Sequence, residues 1–526
     1  MFENKKNPNT VNQLEIKKKV IIENPIILLI IIGIVSLGIR LYYFTPEIPV
    51  TLDAFSYFFY AFDSKVIGHL PENYSIANNG WSSFLWLIFS GFEFNNLLQY
   101  MQIQRISSIL FSVLTIIPIY FICRKYFNSS YSVIGGAIFV FEPRIIANSL
   151  FGLSEPMYIF LGALSICLIL SERKKLIFVA FLIAGLATIV RGEGMSILFA
   201  ITILFFILYK KETGVILKYI LGLAIFSLTI LPMAIYRIET IGNDTMVGRV
   251  TGGIQRGYQE GTPFFITGIE NFIKFFVWDM IPIFIFFVPL GFIVILKKFD
   301  QRSKIIFSCI ISLAIPAFYA YSVPALDTRY LFILYPIFCL ISIIIIKKIG
   351  DKFSNPKIFK ILLVLGVLSI SIFFLEYKEL DMEHEKESYL IAEYLIQEPK
   401  TANHFYPESR YVYVTEIIKS WPESNYVFFI DKEKGISTQS LIPLKTSLIT
   451  INHESNIEEV IENNRKLGMT HLVIDDQKNR PSFFMEILEN EEKYPYLEKE
   501  YDSKEKGFNY HVKIFKINYD KILDEA

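Results

Sequence analysis

The chain has 526 residues and a mass of 61.0 kDa, and 53% of its residues are hydrophobic. Only 19% are charged, against about 25% in a typical soluble domain, and the mean hydropathy is +0.42. These values exclude a disordered, collagen-like or coiled-coil protein and indicate an integral membrane protein, while the balance of 51 basic and 51 acidic residues argues against nucleic-acid binding.

Eleven apolar runs predict an all-α polytopic membrane domain over residues 25–375, with about eleven transmembrane helices. The first run, 25–44, follows three lysines but carries Arg40 near its end, which favours a retained anchor over a cleaved signal peptide. The other runs are 105–123, 130–151, 156–170, 176–191, 195–209, 215–236, 276–296, 305–323, 330–346 and 357–375.

Basic residues recur at every second boundary between these runs, which predicts a cytoplasmic N-terminal tail, residues 1–24, in a multi-pass protein of the cell membrane. An odd number of spans then places residues 376–526 on the extracytoplasmic side. Two long outer loops follow from this topology, 45–104 and 237–275. Each contains a stretch too short to span, 81–92 and 264–280, which predicts interfacial helices with Trp81, Trp86 and Trp278 at headgroup level.

The last part of the chain differs in charge and in periodicity. Residues 376–526 contain 30 acidic and 19 basic side chains, whereas residues 1–375 contain 21 and 32. Short strands are predicted at Val427–Ile430, His471–Ile474 and His511–Ile517, and helices at Ile457–Leu467 and Phe483–Leu497. This alternation predicts a small soluble α/β domain, which lacks a glycine-rich phosphate loop and is assigned no chemistry.

The four cysteines all lie in or beside apolar runs, and no CxxC motif is present. This placement predicts small buried apolar side chains rather than a disulfide framework or a zinc site. The cysteines are Cys123, Cys167, Cys309 and Cys339.

Ionisable residues within the apolar half collect on the predicted outer face. Such groups are costly near a bilayer and usually face a cavity, so each is a candidate site residue. A transporter would more naturally hold them at mid-membrane, on interrupted helices. The candidates are Arg40, Asp53, Asp63, Glu142, Arg144, Glu155, Arg191, Glu193, Asp327 and Arg329.

Two carboxylates stand out among the candidates. Asp53 follows the first span in an aromatic segment, where partial desolvation would suit a general base; the alternative is a helix N-cap. Glu155 begins a later span, where helix-start chemistry with Ser154 as cap and Pro156 in the first turn is the alternative. Together, the two acids could hold a divalent cation such as Mg²⁺ or Mn²⁺.

Arginine suits a phosphate, because its planar fork donates two hydrogen bonds to phosphate oxygens. The candidates are Arg144, Arg191 and Arg329. The alternative for each is a structural ion pair with a neighbouring acid. Those pairs are Glu142–Arg144, Arg191–Glu193 and Asp327–Arg329.

The order of these features resembles the GT-C superfamily of polyprenyl-phosphate-dependent membrane glycosyltransferases, over roughly residues 20–375. The protein O-mannosyltransferase and aminoarabinose-transferase-like branch in prokaryotes is the most similar group. Asp53 matches the acid of the family's first outer loop, and Glu155 matches the second acid, before the fourth span. Recurring segments of these enzymes resemble Pro143-Arg144, Arg191-Gly-Glu-Gly and Thr328-Arg329-Tyr330. The chain differs at Ala54, where many relatives have a second acid, and at Asn78-Asn79-Gly80-Trp81, near a family His-Pro-Pro segment.

The resemblance implies transfer of a sugar from a polyprenyl-phosphate-linked donor, within the bilayer, to a hydroxyl of a protein, lipid or glycan on the outer face. Asp53 would be the general base, and Arg191 and Arg329, with Arg144 behind them, would stabilise the leaving phosphate. Glu155 would orient the acceptor, hold a cation or position an arginine. Supporting roles are expected for Glu193, Asp327 and Arg40.

Three other functions remain open from the sequence. A polytopic transporter or lipid flippase would be favoured by mid-span charges and related halves. An oligosaccharyltransferase-like enzyme shares the architecture, but residues 376–526 contain no Trp-Trp-Asp-type segment. A non-catalytic partner subunit is the last alternative.

Overall fold

A computed structural model describes most of the chain, and every statement below concerns the described residues. These are 24–50, 52–72, 79–94, 96–242, 264–323, 325–378, 383–395, 402–407, 412, 445–449, 456–466, 468–476 and 481–525. The fold divides into two compact units. The first comprises Met1–Phe44, Ser75–Phe84 and Arg105–Glu379, and the second comprises Thr45–Tyr74, Leu85–Gln104 and Leu380–Ala526.

Helices account for nearly all of the apolar half. In chain order they are α1 (Pro25–Tyr42), α2 (Leu52–Ile67), α3 (Asn79–Phe89), α4 (Leu97–Leu114), α5 (Ile116–Arg124), α6 (Ser129–Val140), α7 (Pro143–Leu150), α8 (Glu155–Leu170), α9 (Lys174–Val190), α10 (Met195–Tyr209), α11 (Val215–Ile241), α12 (Phe264–Asp279), α13 (Phe284–Lys297), α14 (Gln301–Ser322), α15 (Tyr335–Gly350) and α16 (Pro356–Tyr377). Short 3₁₀ helices cover Gly192–Gly194 and Thr328–Leu334.

Seven helical stretches among the described residues are long and apolar enough to cross a membrane, or nine if each of two bent pairs counts as one span. The remaining two predicted runs correspond to α8, with 16 residues, and α9, with 17. Counting these two gives the eleven predicted runs. The prediction of a polytopic all-α membrane domain is therefore confirmed, and the chain is a multi-pass membrane protein.

Several of these helices begin at a polar side chain that caps the first turn. Asn24 accepts a hydrogen bond from the backbone N–H of Ile26, and Asp300 accepts one from Ser303. Such a cap satisfies a backbone donor that would otherwise lack a partner. The caps explain why polar residues mark the boundaries of otherwise continuous apolar sequence.

Two of the predicted spans are bent pairs of helices. The run 130–151 is α6 and α7, which meet at 51°, and the run 276–296 belongs to α12 and α13, which meet at 113°. Glu142 caps α7 and Pro143 starts it, so the first bend lies where proline cannot continue the preceding helix. Hydropathy does not register these bends, because both arms of each pair are apolar.

Trp81 is fully buried, so its predicted position among lipid headgroups is wrong. Its indole stacks on Phe84 with 5.7 Å between ring centroids, and its Nε1 donates to the backbone oxygen of Gly152 at 3.1 Å. A buried tryptophan needs such an acceptor. Trp86 is half-buried, and Trp278 is 45% exposed, as an interfacial residue would be.

Arg40 is also fully buried, and its guanidinium donates to oxygens of three other helices in the first unit. It reaches Ser149 Oγ at 3.1 Å, the Val140 backbone oxygen at 3.0 Å and Ser112 Oγ at 2.8 Å. These bonds fasten α1 to α4, α6 and α7. Arg40 therefore supports the packing of these helices, and its supporting role at the site remains a prediction.

The C-terminal part is a small α/β fold, as predicted. Helix α17 (Glu383–Leu395) precedes a five-stranded sheet of order β2-β1-β3-β5-β4, in which β1, β2 and β3 are parallel and β5 is antiparallel to both neighbours. The strands are β1 (Asn403–Pro407), β2 (Lys445–Ile449), β3 (His471–Asp475), β4 (Leu497–Asp502) and β5 (Val512–Ile517), and the remaining helices are α18 (Ile457–Arg465), α19 (Ser482–Glu489) and α20 (Tyr519–Glu525).

Apolar clusters pack on this sheet in two groups. One contains Val460 of α18 and Phe484 of α19, and the other contains Ile391 of α17. The predicted helix Phe483–Leu497 is only half right, because α19 ends at Glu489 and Leu497 begins β4. The predicted strand Val427–Ile430 lies outside the described residues.

All four cysteines are free thiols. Cys123, Cys309 and Cys339 are buried and Cys167 is half-buried. They pack as small apolar side chains, as their sequence context predicts.

Candidate active site

Glu155 occupies the first turn of α8 and is 2% exposed. Its Oε1 lies 2.7 Å from an Arg191 guanidinium nitrogen and 3.3 Å from one of Arg329. A single carboxylate oxygen therefore joins two arginines that are remote in sequence. This carboxylate is the centre of the candidate site.

Each arginine also holds a second acid, close to it in sequence. Arg191 contacts Glu193 at 2.9 Å, and Arg329 contacts Asp327 at 2.7 Å. The two local ion pairs considered in the sequence are thus present. They do not replace contact with Glu155, because each guanidinium has enough N–H groups for several acceptors.

Short turns hold these side chains in place. Arg191 follows α9 in extended backbone, and the 3₁₀ helix Gly192–Gly194 turns the chain directly into α10. Asp327 caps the 3₁₀ helix Thr328–Leu334 by accepting from the backbone N–H of Arg329. Both arginines therefore stand at the start of a helical turn rather than within a span.

Ser154 does not act as the predicted helix cap. It stands at the N-cap position of α8 but makes no capping hydrogen bond; instead its hydroxyl accepts from Arg191 at 3.3 Å. Pro156 does lie in the first turn, as expected. The hydroxyl at the start of α8 thus contacts Arg191 instead of capping the helix.

The five charged groups of this network carry a net charge of −1 in their ordinary ionisation states, since three acids surround two arginines. The second oxygen of Glu155, Oε2, is buried without a hydrogen-bond partner among the described residues. An unpartnered buried carboxylate oxygen is costly to a folded protein. It therefore marks a position at which a bound group can donate.

Arg144 lies in a different contact set. Its guanidinium donates to the backbone oxygens of Ile281 and Trp278 at 3.1 and 2.9 Å, and it stands 4.0 Å from Asp279. The local pair with Glu142 considered in the sequence is not among its contacts in the described structure. These bonds close the bend between α12 and α13, so Arg144 has a positioning role here.

Asp53 lies in the first turn of α2, in the second unit. The carboxylate is inside the helix rather than at the cap position before it, and the residue is exposed rather than partly desolvated. A carboxylate in a first helical turn is favoured by the helix dipole. Its backbone neighbour Ala54 is buried, and the Ala54 oxygen accepts from Gln104 at 2.9 Å.

Sequence reasoning missed Arg237, a buried arginine near the C-terminal end of α11. It donates to Asn79 Oδ1 at 3.4 Å. Asn79 starts α3, and the next residue, Gly80, packs against the backbone of Ile189 and Val190, which precede Arg191. The sequence signal was an arginine directly after the apolar run 215–236, with Glu239 two residues beyond it, which is the spacing of the arginine–acid pairs already considered.

The described residues do not assemble a set of three His, Cys, Asp or Glu side chains that could hold a metal ion. The predicted cation ligands, Asp53 and Glu155, belong to different units. Glu155 Oε2 is a suitable oxygen for a hard cation, but one carboxylate does not form a coordination set.

No sequence-family profile matches the chain, and no curated protein matches it in sequence. The fold, however, is similar to solved structures. The Archaeoglobus fulgidus oligosaccharyltransferase in complex with Zn and sulfate is 12% identical with a TM-score of 0.56, over 88% of this chain and 68% of that chain. Archaeal oligosaccharyltransferase AglB from the same organism, in complex with an inhibitory peptide and a dolichol-phosphate, is 11% identical with a TM-score of 0.53, over 86% and 69%.

ArnT from Cupriavidus metallidurans bound to undecaprenyl phosphate is 9% identical with a TM-score of 0.59, over 93% of this chain and 97% of that chain. These likenesses confirm the fold predicted from the sequence. The chain shares the fold of these proteins, a polytopic helical domain followed by a small α/β fold.

Proposed function

We propose that the chain is a membrane glycosyltransferase that moves a sugar from a polyprenyl-phosphate-linked donor to an acceptor hydroxyl on the extracytoplasmic face. The observation that carries this proposal is the network in which the buried Glu155 joins the partly buried Arg191 and Arg329, in a chain with the GT-C fold. A buried acid with an unpartnered oxygen, beside two arginines, offers both an acceptor for a substrate hydroxyl and donors for a phosphate.

The donor class is supported by the ligands of the solved structures. One neighbour is bound to a dolichol-phosphate and another to undecaprenyl phosphate, which are both polyprenyl phosphates. This chain covers 97% of the ArnT chain but only 68–70% of the archaeal oligosaccharyltransferase chains. The matching length favours a transferase of a small sugar unit over transfer of a whole glycan to asparagine.

The leaving phosphate requires positive charge, and the Glu155 network alone has a net charge of −1. Arg237 offsets that charge, because the Asn79–Gly80 segment brings it toward the chain just before Arg191. We therefore place Arg191, Arg329 and Arg237 around the donor phosphate. Arg144, whose donors are directed to backbone oxygens, acts behind them by holding the bend of α12 and α13.

The reaction needs one proton acceptor. Asp53 takes the proton of the acceptor hydroxyl. The acceptor oxygen bonds to the anomeric carbon of the sugar, and the bond from that carbon to the phosphate oxygen of the donor breaks. Direct attack inverts the anomeric configuration. Glu155 Oε2 accepts a hydrogen bond from a second hydroxyl and orients it, with Glu193 and Asp327 keeping the arginines in place.

A divalent cation, Mg²⁺ or Mn²⁺, remains a prediction. One neighbouring oligosaccharyltransferase structure contains Zn. Transfer by the purified protein before and after treatment with EDTA tests it directly, with restoration by added metal as the control.

The experiment uses the full chain in liposomes with a panel of polyprenyl-phosphate-hexoses and follows release of free polyprenyl phosphate. Wild type should release it with at least one donor, and Asp53→Asn should lose the release while keeping its unfolding temperature. The matched control is Glu93→Gln, since Glu93 is an exposed acid of the same unit that pairs only at the surface with Lys65.

The outcomes separate the alternatives. No release with any donor would contradict the enzyme proposal and direct attention to a transporter or flippase, or to a partner subunit. Equal release by wild type and Asp53→Asn would keep the activity but remove Asp53 from the mechanism. No release with these donors, together with transfer from a pyrophosphate-linked oligosaccharide to an asparagine peptide in a parallel assay, would favour the oligosaccharyltransferase-like alternative.

A further inference from the structure

Two helix breaks of the first unit meet at Arg144. The break between α6 and α7 contains Glu142, and the break between α12 and α13 begins at Asp279. Arg144 donates to the backbone oxygens of Trp278 and Ile281, on either side of Asp279. The glycosyl-transfer mechanism uses neither of the two acids.

Asp279 is fully buried, and neither of its carboxylate oxygens has a hydrogen-bond partner among the described residues. The Tyr335 hydroxyl donates to the backbone oxygen of Asp279, at 3.0 Å. The nearest cation, Arg144 Nε, is 4.0 Å away, which is too far for a hydrogen bond. The carboxylate also lies at the C-terminal end of α12, where the helix dipole disfavours negative charge.

Glu142 is the second acid and is also fully buried. Its Oε2 accepts from the backbone N–H of Ile145 at 3.0 Å, whereas its Oε1 has no partner among the described residues. Both acids interact electrostatically with Arg144, although neither is hydrogen-bonded to its guanidinium. With all three groups ionised, the cluster has a net charge of −1 and three carboxylate oxygens without a donor.

A buried charge without compensation is too costly to persist, so one positive charge is required. In membrane proteins, the C-terminal ends of broken helices bind sodium ions or protons by this logic, through carbonyl and carboxylate oxygens. We propose that Glu142, Arg144 and Asp279 form a buried site that binds one monovalent cation, a sodium ion or a proton, at the junction of the two broken helices.

The surroundings of Asp279 contain no further cation among the groups that act on it. Besides Glu142 and Arg144, the charged or titratable side chains facing it are Asp327, Tyr335 and Tyr321. Their ionisation would add negative charge and strengthen the requirement. Occupancy of the site therefore stabilises the bent form of α12 and α13.

Thermal unfolding of the purified full chain in detergent tests the site without reference to transfer activity. In one series, sodium chloride replaces choline chloride at constant ionic strength and alkaline pH. In the other, the pH is lowered stepwise in choline chloride. The cation that fills the site should raise Tm saturably, by roughly 2–5 °C, because a ligand that binds only the folded state stabilises it.

Asp279→Asn removes the unpaired charge at nearly constant volume, so its Tm should lose the cation-dependent rise. Asp351→Asn is the matched control, since Asp351 is an exposed acid just after the C-terminal end of α15, whereas Tyr335, which contacts Asp279, begins that helix. A rise in Tm with sodium that Asp279→Asn loses and Asp351→Asn keeps identifies sodium as the cation. A rise in Tm at lower pH that Asp279→Asn loses and Asp351→Asn keeps identifies a proton. No rise in the wild type, or one that Asp279→Asn retains, would overturn the proposal.

Discussion

At the scale of single residues, the site depends on one carboxylate that is shared by two arginines. Glu155 contacts both Arg191 and Arg329, and each arginine keeps a local acid of its own, Glu193 or Asp327. Loss of Glu155 would therefore leave neither arginine as an uncompensated buried charge. This arrangement separates the contribution of Glu155 to activity from its contribution to stability.

We accordingly expect Glu155→Gln to lower the rate of sugar transfer by about 100-fold or more, the loss typical when a group oriented toward the transition state is removed. Its unfolding free energy should fall by less than the roughly 3–5 kcal/mol typical of breaking a buried pair. Turnover with saturating donor and Tm in detergent measure the two effects. A variant with unchanged turnover would remove Glu155 from the site.

The second prediction at this scale concerns the histidines of the sheet. Burial, followed by the charge of the neighbouring His404, lowers the pKa of His471 below its ordinary value of 6.5, although Glu500 opposes this. Burial lowers the pKa of His511 in the same way. A histidine with a lower pKa in the folded state takes up a proton on unfolding, so the sheet should lose stability as the pH falls below 6.5.

Hydrogen exchange of the β3 amides near neutral and at mildly acidic pH, corrected for intrinsic exchange, measures this loss. His471→Gln should weaken the dependence on pH without abolishing it, because His511 remains. His69→Gln, outside the sheet, is the control. An unchanged dependence in His471→Gln would contradict the assignment to His471.

At the scale of elements, the local sequence predicted which helices form better than it predicted where they bend. The apolar runs that form α1, α8 and α10 were predicted from the sequence because they depend on neighbouring residues. The bends after Glu142 and Asp279 each lie at a proline, Pro143 and Pro282, which hydropathy does not register. Contacts such as Arg329 with Glu155 join residues 174 positions apart. Periodicity contains no information on either. Both arginines and Glu155 were predicted as site residues, and positioning an arginine was one of the roles given to Glu155, but its contact with both arginines was not predicted.

Helix α3 provides the test at this scale. A Cβ added at Gly80 would stand 2.7 Å from the backbone of Ile189 and Val190, so Gly80→Ala must displace the chain that leads into Arg191. We expect it to cost roughly 1–3 kcal/mol in stability, as overpacking does, and to reduce sugar transfer. Gly38→Ala in α1 is the control, because nothing lies within 4 Å of its added Cβ. Equal transfer by both variants would mean that α3 does not position the site.

At the scale of the whole molecule, the orientation in the membrane decides where the site works. The predicted topology rests on the basic inner boundaries and on an odd number of spans. A contact within the first unit supports the odd number independently, because the Tyr43 hydroxyl, just after α1, donates to Glu376, near the end of α16, at 2.6 Å. The outgoing ends of the first and last spans therefore lie on the same side, opposite the N-terminal end of α1.

Introduced cysteines test this orientation, since the native thiols are buried or half-buried. Lys504 of the C-terminal fold and Lys297 at the end of α13 are both exposed, and the topology places them on opposite sides. Lys504→Cys should react with a membrane-impermeant maleimide in intact cells, and Lys297→Cys only after the membrane is opened. The reverse pattern would place the α/β fold in the cytoplasm. It would also move Glu155, which the predicted topology places on the same side as Tyr43, to the side where nucleotide sugars are available, and a lipid-linked donor would no longer be required.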